Sequence, residues 1–151
     1  EHNGGIGYSN NYELSNIRKW LNDYFYNHAF NSLEKSIIEK TTLDNSASST
    51  ASNDNIYACN NTKDCIFLLS YKEVTTYYKD NQKRKTQGTD YAKCQGLCTL
   101  SGELGNIWWL RSPYYSLNGE VSRVNNYGSC TNYSSVTVTR NGVRPACYIT
   151  L

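Results

Sequence analysis

Apolar residues recur at helical spacing only near the start of the chain. Ile17, Trp20, Leu21, Tyr24, Phe25 and His28 fall on one helix face, with Ser15 placed to cap it. Trp20 is expected in the core. Asn31-Ser32-Leu33-Glu34 has the capping-box form and opens a second helix whose inner side carries Leu33, Ile37 and Ile38. Thr41–Leu43 reads as a short strand. From Asp44 to Asn55 the chain is rich in Ser, Asn and Ala without a period, the pattern of a mobile loop.

Beyond that loop the pattern turns toward strands. Ile66-Phe67-Leu68-Leu69 is a short apolar run, expected as a buried strand. Ser70-Tyr71-Lys72-Glu73 is a second capping box, opening a short helix or turn through Tyr78. Asp80 to Gly105 has no clear period and is expected to be irregular. Strand signals return at Ile107–Arg111, Glu120–Val124 and Val136–Arg140. Asn141-Gly142 predicts a two-residue hairpin turn, with Val143–Leu151 pairing back as the last strand. Helices first and strands later predict an α+β fold: two N-terminal helices packed on a small, mostly antiparallel sheet with long irregular loops. At 151 residues the chain reads as a single domain, 1–151.

Charge and cysteine content narrow the setting. A net charge of +2 gives no footprint for nucleic acid, and the one dense basic run, Lys83-Arg84-Lys85, reads as a solvated loop. No apolar run approaches the roughly 20 residues that cross a bilayer, so no direct membrane insertion is expected. The chain opens on Glu1 without a signal-peptide pattern, as a mature or excised product would. The cysteines are Cys59, Cys65, Cys94, Cys98, Cys130 and Cys147. Their connectivity does not follow from sequence. Local closure favours Cys59–Cys65 and Cys94–Cys98, leaving Cys130 with Cys147. Zinc is the rival, but neither close pair has the C-x2-C spacing of compact zinc sites. Disulfides argue for an oxidising, extracellular or cell-surface setting.

Catalysis has little to work with. His2 lies near a terminus, and His28, beside Ala29 and Phe30, reads as a packed or half-exposed helix residue. No Ser-His-Asp elbow, His-Glu-x-x-His helix or phosphate loop occurs. Gly4-Gly5-Ile6-Gly7 follows no strand and reads as a turn. Nothing in the spacing of Glu103 and Glu120 makes them a glycosidase pair. The chain is expected to be no enzyme, with no cofactor and no metal.

Recognition has more. Two stiff, basic motifs, Trp108-Trp109-Leu110-Arg111-Ser112-Pro113 and Gly142-Val143-Arg144-Pro145-Ala146, flank a stretch dominated by Tyr, Ser, Asn, Gly and Thr. That is the composition of an antibody-type binding loop, where Tyr gives rigid amphipathic area and Ser, Gly and Asn adapt their hydrogen bonding. The candidate ligand-binding residues are Tyr114, Tyr115, Ser116, Asn118, Asn125, Asn126, Tyr127, Asn132 and Tyr133. Trp108, Trp109, Arg111, Pro113, Arg144 and Pro145 are the candidate scaffold. Arg111 and Arg144 suit planar stacking and bidentate bonds that lock loops, with anion binding the alternative. Trp108 and Trp109 alternate across a strand, so one enters the core and the other faces out or covers a loop. Asn60-Asn61-Thr62 and Asn132-Tyr133-Ser134 also match the N-glycosylation sequon.

The order of signatures resembles a bacterial domain of unknown function. Ser15–Asn22 (SNIRKWLN), Ala29–Lys35 (AFNSLEK), Phe67–Glu73 (FLLSYKE), Thr89–Ala92 (TDYA), WWLRSP and GVRPA follow one another over nearly the whole chain. Gly-Val-Arg-Pro-Ala is similar to the closing motif of C-type-lectin-like folds of the formylglycine-generating-enzyme kind. The same frame resembles variable proteins of diversity-generating retroelements, whose diversified segment would correspond to Tyr114–Ser134. The calcium-lectin signatures Glu-Pro-Asn, Gln-Pro-Asp and Trp-Asn-Asp are absent, so a calcium-dependent sugar site is not implied. The resemblance implies a C-type-lectin-like, extracytoplasmic recognition module displaying Tyr114–Ser134 to a protein or glycan ligand. A structural subunit of a surface layer or filament, self-assembling through its tyrosine-rich face, is the alternative. A formylglycine-generating type of enzyme is a third reading.

Overall fold

The computed structural model describes residues 9–99 and 104–150. His2, the Gly4-Gly5-Ile6-Gly7 turn, Glu103 and the Leu151 end of the expected last strand lie outside the described residues. The described chain runs through α1 (Asn16–Trp20), a π-helical turn (Leu21–Phe25), α2 (Tyr26–Ala29) and α3 (Ser32–Ile37). β1 (Ile38–Glu39), β2 (Thr41–Leu43), a 3-10 turn (Ala47–Ser49), β3 (Thr62–Asp64), α4 (Tyr71–Tyr77), α5 (Asn81–Arg84) and α6 (Asp90–Cys94) follow. The last part holds β4 (Trp108–Pro113), β5 (Glu120–Val124), β6 (Asn132–Ser135) and β7 (Tyr148–Ile149). The fold mixes helices with three small antiparallel sheets, ordered β1-β7, β2-β3 and β4-β5-β6. None of the described helices is long and apolar enough to cross a membrane.

Ile66 to Leu69 is the wall between two cores. Side chains of an extended chain alternate sides. Phe67 and Leu69 therefore join Trp108, Leu110, Val74 and Val124 in one cluster, while Ile66 and Leu68 join Leu21 in the other. All four wall residues are buried, and Phe67 is bridged to Ala146 through both backbone groups at 2.9 and 2.8 Å.

The helical stripe is only partly buried. Ser15 caps α1 through the Arg18 amide, and Leu21 is fully inside. Trp20, expected in the core, is instead 40 % exposed and tilts against Phe25 at 5.2 Å, and Tyr24 is exposed as well. The π-helical turn beginning at Leu21 has a wider repeat than an α-helix, so the stripe rotates away from strict helical spacing. The Asn31–Glu34 capping box forms, but Leu33 and Ile37 lie outside and only Ile38 packs on the second cluster. α3 is six residues long and passes straight into β1, so its orientation follows strand pairing rather than burial of Leu33.

Four further expectations are corrected. Asp44–Asn55 is pinned, not mobile: Asn45, Ser49, Thr50 and Asn55 are buried, and Asn55 Nδ2 donates to the Pro113 carbonyl at 3.0 Å. Asp80–Gly105 contains α5 and α6, capped by the Asp80 and Thr89 side chains. Val136–Arg140 is no strand; the third strand of the sheet is β6, in the polar Asn132–Ser135. Asn141-Gly142 makes no hairpin. Gly142 bonds the Ile107 carbonyl at 2.7 Å and the Trp109 amide at 3.0 Å, which lays the segment beside β4 and sends the chain end to β1.

The disulfide expectation is corrected too: Cys59, Cys65, Cys94, Cys98, Cys130 and Cys147 are all free. Cys130 is buried in the first core while Cys147 is exposed just before β7. Cys94 ends α6, and Cys98 is drawn off by its amide bond to the Arg140 carbonyl at 3.0 Å.

Candidate functional site

The frame is held by arginines at its joints. Arg111 is buried on β4 and donates all five guanidinium N–H groups. Nε reaches Asn45 Oδ1 at 2.9 Å, and Nη1 reaches the Leu68 carbonyl at 2.8 Å and Glu73 Oε2. Nη2 reaches Glu73 Oε1 at 2.9 Å and the Asp44 carbonyl at 3.1 Å. Next to it, Ser112 Oγ accepts the Tyr71 amide and donates to the Ser49 carbonyl. With every donor engaged, Arg111 has none left for an anion.

Arg144 acts by stacking. Its guanidinium lies 5.0 Å from the Tyr78 ring and 4.9 Å from Trp108, and Nη2 donates to the Tyr78 hydroxyl at 3.2 Å. Trp108 is fully buried, with its indole N–H on the Arg84 carbonyl, whereas Trp109 is half-buried and packs on the second core. Pro113 is buried and Pro145 exposed. The N-terminal signature contributes the same way. Arg18 forks onto the buried Asp64 carboxylate, and Asn22 accepts the Cys65 and Ile66 amides while donating to the Ile66 carbonyl.

The nine candidate binding residues separate into two groups. Tyr114 and Tyr115 follow β4, and Tyr133 lies on β6 opposite Ser122. Tyr114 stacks on Tyr133 at 4.0 Å and 22°, and tilts against Tyr115 at 4.8 Å. Tyr115 and Tyr133 are 45 % and 40 % exposed, so the three rings form an aromatic ledge with one wet side. Ser116 and Asn118 are exposed on the adjoining β4–β5 turn. Asn132 lines a cleft of about 150 Å³ under the ledge.

Asn125, Asn126 and Tyr127 sit at the opposite end of the sheet, in the β5–β6 connection. There Asn125 Oδ1 accepts the Tyr127 and Ser129 amides, and the Asn126 carbonyl accepts Gly105 N–H. These asparagines build a turn. Tyr127 is 59 % exposed but apart from the ledge.

Five residues of the cleft were not anticipated as binding residues: Ala51, Tyr71, Ser122, Cys130 and Thr131. Burial, and then the neighbouring Cys130 thiol, push the Tyr71 hydroxyl above its usual range, and burial pushes the Cys130 thiol up. The Tyr115 hydroxyl is raised by its hydrogen bond with Tyr114. Ser122 carried a signal, since it is a hydroxyl in the strand register of the inward-facing Val124. A larger cavity of about 440 Å³ contains none of the nine. His28 is exposed, stacked on Tyr24 at 4.1 Å and bonded to the Tyr24 carbonyl.

Over residues 2–151 the chain matches the family described as "Domain of unknown function (DUF6273)". The chain belongs to that family. No curated protein and no solved structure matches it. In this DUF6273 domain four of the six signatures are joined into one mechanical unit. SNIRKWLN holds β3 and the Ile66 wall through Arg18 and Asn22, FLLSYKE meets WWLRSP through Glu73 and Arg111, and GVRPA clasps β4 and Phe67. Among the described residues no group of three or more His, Cys, Asp or Glu is placed to hold a metal ion.

Proposed function

We propose that the domain is a ligand-recognition module whose contact surface is the Tyr114–Tyr115–Tyr133 ledge, with Ser116, Asn118 and Asn132 beside it. One observation carries this reading: three packed rings, two of them wet, stand beyond β4 and on β6 in a sheet whose strand β4 is fixed by the buried Arg111 clamp. Aromatic side chains held in place lose little freedom on binding, and their faces suit a sugar ring or an apolar protein side chain. The partner in this reading is a protein or a glycan, bound without metal, cofactor or catalysis. Nucleic acid and direct membrane insertion have no place in it.

The same proposal takes the frame as C-type-lectin-like, similar to variable proteins of diversity-generating retroelements. GVRPA closes the chain onto two separate elements, as a fixed frame around a variable segment requires. Within Tyr114–Ser134, Ser122, Asn125, Gly128 and Cys130 are buried or build turns, so variation would concentrate on the ledge and the β4–β5 turn. An extracellular or cell-surface setting belongs to the proposal as well; with all six thiols free, it rests on the resemblance alone.

A second reading, a self-assembling structural subunit, is favoured by one feature. Ile37 and Ile149 are exposed around the two-stranded β1–β7 sheet, where the Thr150 amide donates to the Ile37 carbonyl. Native mass measurement separates the two: a monomer supports the recognition module, and a large assembly supports the subunit. The recognition reading is tested on glycan and protein arrays with the wild-type domain and a Tyr115→Ala/Tyr133→Ala variant. Hits that vanish in the folded variant support the ledge; hits retained by it overturn the site.

A further inference from the structure

A second cavity opens on the other face of the β4-β5-β6 sheet. Val121 and Ser122 are neighbours on β5 and point to opposite faces; Ser122 lines the tyrosine cleft and Val121 this cavity. Its volume is about 440 Å³, against about 150 Å³ for the cleft. Small-molecule pockets usually fall between about 300 and 1,000 Å³. The cavity therefore has room for a whole small molecule, where the cleft has room for a protruding group.

The walls favour apolar contents. Ile17, Trp109, Val121, Val136, Val138 and Val143 converge on the space from four separate parts of the chain. Val138 and Val143 remain 37 % and 40 % exposed, so apolar surface is left in water that a ligand would cover. Charge points the same way. Among the described residues lining it, Arg111 is the only charged one, and all five of its N–H groups are already donated. An ionic ligand would find no counter-charge, and burying an unpaired charge is strongly disfavoured. The remaining polar groups of these residues are amides and hydroxyls, and the buried Asn141 side-chain NH2 has no acceptor among the described residues.

We propose that this cavity binds an uncharged, mainly apolar small molecule bearing a carbonyl or hydroxyl oxygen that accepts from Asn141 Nδ2. The site is independent of the tyrosine ledge, and either can stand without the other.

Two naphthalene fluorophores test it on the wild-type domain. Prodan is neutral and carries a ketone; 8-anilinonaphthalene-1-sulfonate is anionic. Prodan is expected to bind one per chain with a blue-shifted emission, and the sulfonate at least about tenfold more weakly. Val121→Phe and Val143→Trp, which fill the space from different walls, should each weaken prodan binding by about tenfold, and Asn141→Ala by a smaller factor. Near-ultraviolet circular dichroism checks that each variant is folded. No blue shift with prodan, equal binding of the sulfonate, or wild-type prodan affinity in the folded filling variants would overturn the proposal.

Discussion

Arg111 and Glu73 form a two-pronged ion pair in which the carboxylate serves two elements at once. Glu73 Oε1 and Oε2 take Nη2 and Nη1 of Arg111, and Oε2 also accepts the Ser70 amide at 2.8 Å, closing the capping box of α4. The start of α4 and the middle of β4 are thereby one joint. Arg111 is almost wholly buried, so removing its partner strands a charge. Glu73→Ala is expected to cost about 3–5 kcal/mol in urea unfolding. Arg111→Lys should fail to restore the joint, since an ammonium cannot reproduce the planar fork. A loss well under about 1 kcal/mol for either variant would mean the joint does not hold the frame.

Asn22 and Asn27 offer a matched comparison within the N-terminal helical run. The Asn22 side chain serves the Cys65 and Ile66 backbone, whereas the Asn27 side chain donates to the Asp23 carbonyl one turn back and accepts from Lys35 Nζ, both in solvent. Asn22→Ala should lose about 1–3 kcal/mol because buried backbone groups go unpaired. Asn27→Ala should stay within about 0.5 kcal/mol of wild type. Equal melting temperatures for the two variants would contradict this reading of the SNIRKWLN helix.

Gly128 and Gly96 share a left-handed backbone but not a neighbourhood. Both have positive φ, +84° and +93°. A Cβ on Gly128 would lie 1.8 Å from the Asn81 carbonyl oxygen, while one on Gly96 would meet nothing within 4 Å. Gly96→Ala should therefore cost only the backbone penalty of about 1–2 kcal/mol. Gly128→Ala should cost distinctly more and loosen α5 from the β5–β6 connection, read as faster amide exchange around Asn81–Arg84. Similar losses from both substitutions would remove the close approach as the cause.

Stability should fall at alkaline pH through two tyrosines. The Tyr148 hydroxyl is pushed up to about 12, first by its 2.8 Å hydrogen bond with Tyr77 and then by burial. Burial, followed by the nearby Asp64, raises Tyr12 further still. An unfolded tyrosine ionises near pH 10. Both groups therefore favour the folded, protonated state in full below about pH 10, and that contribution is lost as pH rises from about 10 toward 12. Urea midpoints measured across this window should decline, and Tyr148→Phe should flatten the decline. A midpoint independent of pH in wild type would contradict it.

What the sequence made legible were the features decided locally. Ser70 and Glu73 cap α4, Asn31 and Glu34 cap α3, and β2 and β5 fall where the β-branched Thr41, Thr42, Val121 and Val124 lie. The features decided by distant partners were hidden. β6 is made of Asn, Tyr and Ser and is a strand because β5 offers it an edge. Asn45 and Asn55 are buried because Arg111, Thr62 and the Pro113 carbonyl take their bonds, which no local pattern records. The asparagines at 125 and 126 resembled binding residues in composition, yet the turn they build uses the Asn125 side chain and the Asn126 backbone carbonyl. Of the nine candidates, the tyrosines after β4 and on β6 came together, and Tyr127 did not.

That separation gives the most direct test of the recognition surface. For a ligand recovered from the arrays, the affinity of Tyr115→Ala is to be compared with that of Tyr127→Ala. Truncating an aromatic anchor at the centre of a contact should weaken binding by about tenfold or more. The ledge predicts that loss for Tyr115→Ala and wild-type affinity for Tyr127→Ala. Loss at Tyr127 with Tyr115→Ala unaffected would place recognition at the far end of the sheet and contradict the account.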